Sequence, residues 1–297
     1  QKFCDINVYT REDMIGRNHR IVKSGRHPPA FFEAMWQTIA AGKVWHGEVQ
    51  NRRRDGSLYW VQGTIAPICD ETGRPMRYIS VRTEITAQKH ALTERERQGR
   101  LLDAIRQSMA RFIVDRNLAA TSSVLLDAIL SITDSVFGFI GEVQYDADGQ
   151  PFLRAHAISN IAWSPDAGRA LAAIRNGGLE MRNLDSLYGI ALTTGLPVIS
   201  NDPASDPRHS PLPPGHPPLD SFLGMPIRHG ETLVGMVGLA NRVGGYDEEL
   251  IDFLAPLAAT YGGILEAARM RAMQQRMIDE LHGEREAGAV MQQATRE

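Results

Sequence analysis

Residues 45–60 read WHGEVQNRRRDGSLYW, with three consecutive arginines between two tryptophans. The runs on either side, Val44–Arg53 and Ser57–Ile68, have strand character, and Asp55-Gly56 between them supplies a two-residue hairpin turn, since glycine accepts the positive φ such a turn needs. Strand alternation then sends Trp45, Gly47, Val49 and Asn51 to one face and His46, Glu48, Gln50 and Arg52 to the other. Adjacent arginines on a pleated strand cannot make one flat basic surface. The chain as a whole agrees: 32 Lys and Arg against 35 Asp and Glu leave a net charge of −3, without the basic excess of a nucleic-acid binder. The arginines therefore read as solvated hairpin charge, and nucleic acid is not an expected partner.

Working outward, Thr10 followed by Asp13 forms a capping-box-like start for a helix over Thr10–Ile15. A second helix is expected from Pro29 to Ala41, with Phe32, Met35, Trp36 and Ile39 on one face and Gly42 ending it. After a turn at Glu71–Gly73, a third strand runs from Pro75 to Thr83. Beyond Ile85 strand character vanishes, and residues 86–100 are charged and helix-prone, with Leu102, Ile105, Met109 and Phe112 following at three-four spacing.

A second set of elements begins there, as 297 residues suggest at roughly 100–200 per domain. A helix over Leu118–Ser135 precedes a hairpin, Gly138–Tyr145 and Pro151–Ile158, around Asp148-Gly149. A short helix over Leu187–Thr194 stops at Gly195, and a last hairpin pairs Phe222–Ile227 with Thr232–Ala240. Helix returns at Asp247–Arg269 and continues toward Glu297. The fold class is α+β: two antiparallel-sheet domains, joined and followed by long helices.

Certain stretches go further. GRNHRIV, then FFEAMWQTIAAGKVWHGEVQNRRRDGSLYWVQGTIAPICDETGRP, then YISVRTEITAQK closely resemble a PAS domain over Gly16–Lys89. QKFCDIN at the start looks like the tail of that domain's second strand, which would leave its first strands outside the chain and a sheet edge exposed. TTGLPVISNDPASDPR, LPPGHPPLDSFLGMPIRHGETLVGMVGLANR and GGYDEELIDFLAPLA resemble a GAF domain. The expected division is a PAS domain at 1–90, a helical linker at 91–108, a GAF domain at 109–268 and a signalling helix at 269–297.

Both families are sensor scaffolds that host many ligands or none, so each pocket is read separately. Light-sensing PAS domains carry GRNCR, and this chain has GRNHR; an imidazole at His19 cannot form the thiol adduct. Flavin-binding redox and aerotaxis sensors are more similar, sharing Met35-Trp36 and the run Trp45-His46-Gly47-Glu48-Val49-Gln50-Asn51-Arg52-Arg53. That resemblance implies FAD as the candidate cofactor, with Trp36 beside the isoalloxazine and Asn51 bonded to its polar edge. Lys23-Ser24 replaces the Arg-His pair of that family, and Arg26-His27 lies three positions on.

The two cysteines, Cys4 and Cys69, both precede the second domain, so a covalent bilin there is excluded. Asn241-Arg242 and Tyr246-Asp247-Glu248 partly echo cyclic-nucleotide GAF domains, but sit where the last strand meets the last helix and read as structural. Asp202, Asp206, His209, His216 and Asp220 share a proline-rich loop in no metal-ligand spacing, so the loop reads as a lid over a GAF pocket and no metal is expected.

No Walker loop, nucleophile elbow or zinc-protease helix occurs, and the GGDEF-like Gly244–Glu248 lies inside the GAF pattern, so catalysis is expected outside the chain. Met270, Met273, Met277 and Leu281 fall on one side of the last helix, and EREAGAVMQQATRE resembles the approach to a histidine-kinase dimerisation helix. The chain thus reads as an excised, cytoplasmic sensory relay of a bacterial histidine kinase. It would sense a small molecule or redox state, act as a homodimer through helical linkers, and make no membrane contact. A ligand-free dimerising relay and an input to a diguanylate cyclase are the alternatives.

Overall fold

The computed structural model describes residues 2–159, 178–208, 210–212 and 216–294. They divide into two compact units, residues 1–96 and 97–297. His209 and residues 213–215 of the proline-rich loop lie outside the described residues, as do residues 295–297.

The first unit opens with α1 (Lys2–Asn7), a helix where the tail of a strand was expected, and α2 (Arg11–Met14), the latter held by the reciprocal Thr10–Asp13 capping box. A 3₁₀ turn (His19–Val22) and α3 (Pro29–Ala40) follow. Three antiparallel strands, β1 (Trp45–Arg52), β2 (Leu58–Cys69) and β3 (Pro75–Glu84), lie in the order β1-β2-β3. Asn51 pairs with Tyr59 across a turn where Gly56 takes φ +90° and the Asp55 carboxylate accepts from the Ser57 amide at 2.9 Å.

The three arginines do three separate jobs. Arg52 donates to the Ser24 carbonyl at 3.0 Å, Arg53 reaches the Ile6 carbonyl and pairs with Glu84 at 2.5 Å, and Arg54 pairs with Asp13 at 2.7 Å. Arg53 departs from the solvated charge expected of it, because its planar fork ties the hairpin to α1 and β3 together. Along the outer edge of β1, the Ser24 hydroxyl bonds the Gln50 carbonyl (2.6 Å) and the Gln50 amide donates to His27 Nε2 (2.9 Å), covering groups an edge strand leaves open. Burial first, and the Arg26 charge second, push His27 below its ordinary pKa, which suits an imidazole that must accept.

Helix α4 (Thr86–Asp115) passes through Gly99 without a break, and the stretch expected as linker, 91–108, lies within it. Leu101 and Ala104 are buried in the second unit's core and Ser108 is buried, while Leu102 is exposed. The second unit adds α5 (Leu118–Thr133), capped by the Asn117 side chain. Its sheet comprises β4 (Phe137–Tyr145), β5 (Pro151–Ile158), β6 (Leu179–Met181), β7 (Val198–Ser200), β8 (Phe222–His229) and β9 (Thr232–Ala240). Their order is β6-β5-β4-β9-β8-β7, so hairpins β4-β5 and β8-β9 meet at the centre. Helix α6 (Leu187–Thr194) ends on Gly195 in the left-handed conformation, and α7 spans Glu248–Ala294.

Two apolar layers sandwich this sheet. On one face α4, α5 and α7 pack Leu125, Ile129, Leu254, Tyr261 and Leu265 against Ile140, Val237 and Leu239. On the other, α6 packs Leu187, Ala191 and Leu192 against Val143, Leu153, Phe222 and Met236. Helix α7 is long and apolar enough by composition to cross a bilayer, yet its apolar residues Leu250, Leu254, Leu257, Ile264 and Leu265 are those filling the first layer.

Candidate functional site

A cavity of about 450 Å³ opens on the α6 face of the second sheet. Its floor follows from strand register: Phe137, Ala240 and Phe222 form one row across β4, β9 and β8, and Phe139, Gly238 and Gly224 form the next. Gly238 is needed there because a Cβ would stand 2.3 Å from the Phe139 ring, which lies over it. Tyr188 of α6 meets Phe139 edge-on at 6.1 Å, and Phe137 meets His216 at 5.7 Å. Leu212, His216 and Leu219 from the proline-rich loop complete the described wall, which is the lid position expected of that loop.

The rim is polar and internally satisfied. Tyr188 OH accepts from the Asn183 amide at 2.9 Å, and burial raises its pKa, keeping the phenol neutral. Ser186 caps α6, and the Asn183 side chain donates to Ser210 at 3.2 Å. Asn241, with φ +60°, accepts from the Asp220 amide and donates to the Pro218 carbonyl, fixing the base of the loop. Asp247 caps the Leu250 amide, so the nucleotide-like echo at 241–248 has structural occupations. Asp206 is held well below the carboxylate range, chiefly by its bonds to Arg208, 2.8 Å away. Among the described residues no group of three or more His, Cys, Asp or Glu is placed to hold a metal.

At the far end of β4 and β9 is a second cluster that the sequence did not suggest. The ladder between these strands ends at Glu142–Gly235. Just beyond it the Arg269 guanidinium, from α7, donates to both the Val143 and the Val234 carbonyls, the latter at 3.2 Å. It thereby satisfies acceptors that the ending ladder leaves behind. Its Nε lies 3.4 Å from the carboxylate of Glu142, which is only 8% exposed.

A β-bulge between Ile140 and Gly141 leaves His156 of β5 out of the ladder, and its buried Nε2 stands 3.6 Å from Glu142, beyond hydrogen-bonding distance and without a hydrogen-bond partner among the described residues. Burial pushes the Glu142 carboxyl up, but His156 and Arg269 outweigh it and hold the group below its ordinary value. Past this clasp the large apolar side chains described on α7 are bare: Met270, Met273, Met277, Ile278 and Leu281 are all exposed.

In the first unit, Asn51 is buried beside Tyr59, while Trp36 is 57% exposed with its edge against Tyr78, 6.2 Å away. The indole of Trp45 lies across Gly47, whose added Cβ would meet it at 2.3 Å, and reaches the paired Gly63. Of the two residues the flavin resemblance named, Asn51 is buried and Trp36 is exposed, and the Gly47–Gly63 pair is covered by Trp45. As arranged, these residues do not fit a flavin. Adding FAD to the chain is therefore expected to leave flavin fluorescence unchanged. Quenching that Asn51→Ala removes would show that the seat forms after all.

A GAF domain model matches residues 115–266 and a PAS fold model matches residues 1–82. The aerotaxis receptor of Escherichia coli (strain K12) is 36% identical over 92 residues, 31% of this chain and 18% of that protein. The nitrogen fixation regulatory protein of Klebsiella oxytoca is 28% identical over 113 residues, 38% of this chain and 23% of that protein. The chain thus spans less than a quarter of the length of either relative. Among solved structures, the GAF domain of a phosphoenolpyruvate-protein phosphotransferase from Coxiella burnetii overlays with a TM-score of 0.47 at 17% identity, covering 59% of this chain and 98% of that one. The chain belongs to the GAF domain family and carries a PAS fold ahead of that domain, a tandem of sensory domains of the kind found in signalling proteins.

Proposed function

We propose that the chain is the cytoplasmic input segment of a histidine kinase, in which occupancy of the second unit's cavity is relayed to the exit helix and read by a dimer. One observation carries this reading. The same two strands, β4 and β9, line the cavity at Phe137–Phe139 and Gly238–Ala240 and hold Arg269 of α7 at Val143 and Val234. Phe139 and Val143 are four residues apart on one strand, about 13 Å at roughly 3.3 Å per residue. A shift in the splay of these strands at the cavity changes the gap that Arg269 plugs, and with it the docking of α7. Differential binding of about 1–3 kcal/mol between two such states is enough to bias an output.

The relay leaves through the exposed Met270–Leu281 stripe, whose spacings of three and four match a helix pairing with its copy. Gly238→Ala tests the coupling, because the added methyl drives the Phe139 ring off the sheet and into the cavity. Amide exchange along α7 beyond Arg269 changes in this variant if the reading holds. An exchange pattern identical to the native one contradicts it.

A further inference from the structure

We infer that the cavity takes a neutral, aromatic small molecule and excludes anions and cations of the same shape; this rests on the proposed sensing role of that cavity. Apart from the imidazole of His216, the charged side chains among the described lining residues are Glu180 and Arg182. Both are spent. Glu180 receives Arg154 at 3.0 Å and Arg182 at 2.8 Å.

Arg182 in addition lies 3.6 Å from Asp146 and stacks on the Phe152 ring at 3.9 Å. The Glu180 carboxyl is held below its ordinary value by these two arginines, so it stays an anion with its counter-charges already in place. A charged ligand entering here would lose its hydration and find no uncommitted partner among these groups, and burying an unpaired charge is the costliest substitution a pocket can ask for.

The remaining surface favours rings. Phe137, Phe139, Tyr188 and Phe222 surround the space, and Phe139 and Tyr188 already meet edge-on, the arrangement aromatic quadrupoles prefer. The volume, about 450 Å³, falls within the range of roughly 300–1,000 Å³ typical of small-molecule sites. The rim hydroxyls of Ser186, Ser210 and Tyr188 bond mainly within the protein, which leaves orientation to shape and to one or two polar contacts.

Three probes with one ring system separate the possibilities: indole, indole-3-acetate and tryptamine, each measured by equilibrium dialysis against the intact chain and against Gly238→Ala. The expected result is that indole binds about tenfold or more tightly than either ion, and that Gly238→Ala weakens it by a similar factor. Either ion binding as well as indole overturns the inference, and so does indole binding that Gly238→Ala leaves unchanged. Indole binding lost in Gly238→Ala with no effect on amide exchange in α7 supports the ligand class and instead removes the proposed relay.

Discussion

Arg269→Met destabilises the second unit by about 3 kcal/mol, the range expected when one partner of a buried polar network is removed. The side chain satisfies the Val143 and Val234 carbonyls and neutralises a Glu142 carboxylate that is almost fully buried. Methionine keeps most of the stem's packing and removes all three interactions, so the loss reports the clasp rather than a cavity. Three of the four tryptophans, Trp36, Trp45 and Trp60, fall in the first unit, so fluorescence follows that unit while circular dichroism in urea follows both. The transition of the second unit shifts and the fluorescence transition stays. The double variant Glu142→Gln/Arg269→Met loses less than the sum of the two single variants, by about 1–2 kcal/mol, because no uncompensated charge is left buried. Strict additivity would show that the two groups are not coupled.

The same clasp sets an acid limit. The folded Glu142 carboxyl lies below its ordinary value of 4.5, so the stability it contributes is present in full above that value. It is lost as pH falls through the depressed folded range, where the native state must also take up the proton. Glu142→Gln flattens this part of the stability–pH curve, and an unchanged acid limb would count against the ion pair.

Replacing Met273 and Met277 by glutamate is expected to abolish the dimer proposed above. Both side chains are more than half exposed, Met273 at 70% and Met277 at 58%, on a helix that carries no other packed layer beyond Arg269 among the residues whose side chains are described. In a paired helix each copy contributes both, so four methionines leave the seam. At roughly 1.5 kcal/mol or more for each buried side chain, the dissociation constant rises by about ten-thousandfold or more, and like charges facing one another add to this. Sedimentation of the Met273→Glu/Met277→Glu chain then gives a monomer with the folded content of the native protein. A dimer that survives both changes places the association elsewhere and removes the helical seam from the account.

What the sequence made legible was local. Asp55-Gly56 and Asp148-Gly149 announce hairpins because the turn conformation is chosen by the residues in it, and the Thr10–Asp13 cap is closed within four residues. Helices α3, α5 and α6 follow from apolar spacing and their end signals. Strands β6 and β7 do not, since three residues carry no readable alternation. The long-range bonds were silent: Arg53 meets Ile6 47 positions away, and Arg269 meets Val143 126 positions away. An arginine in a charged helix looks the same whether it is solvated or plugs a ladder.

The cavity floor was equally hidden, because it depends on the register that brings Gly238 beside both Phe139 and Gly224. Trp36 and Asn51 were read from a family's spacing, which preserves position along the chain. It does not say that Trp45 will lie over the Gly47–Gly63 pair or that Trp36 will stay exposed beside Tyr78.

We propose the cavity and the exit helix as two ends of one device. Hydrogen–deuterium exchange over Arg271–His282, compared between the native chain and Gly238→Ala, tests it most directly. If filling the cavity from within by Phe139 alters the docking of α7 through β4 and β9, these amides exchange at a different rate in the variant, and the difference disappears when Arg269→Met is added. If the variant and the native chain exchange alike while Phe139 has moved, the cavity does not speak to the helix and the proposed relay is contradicted.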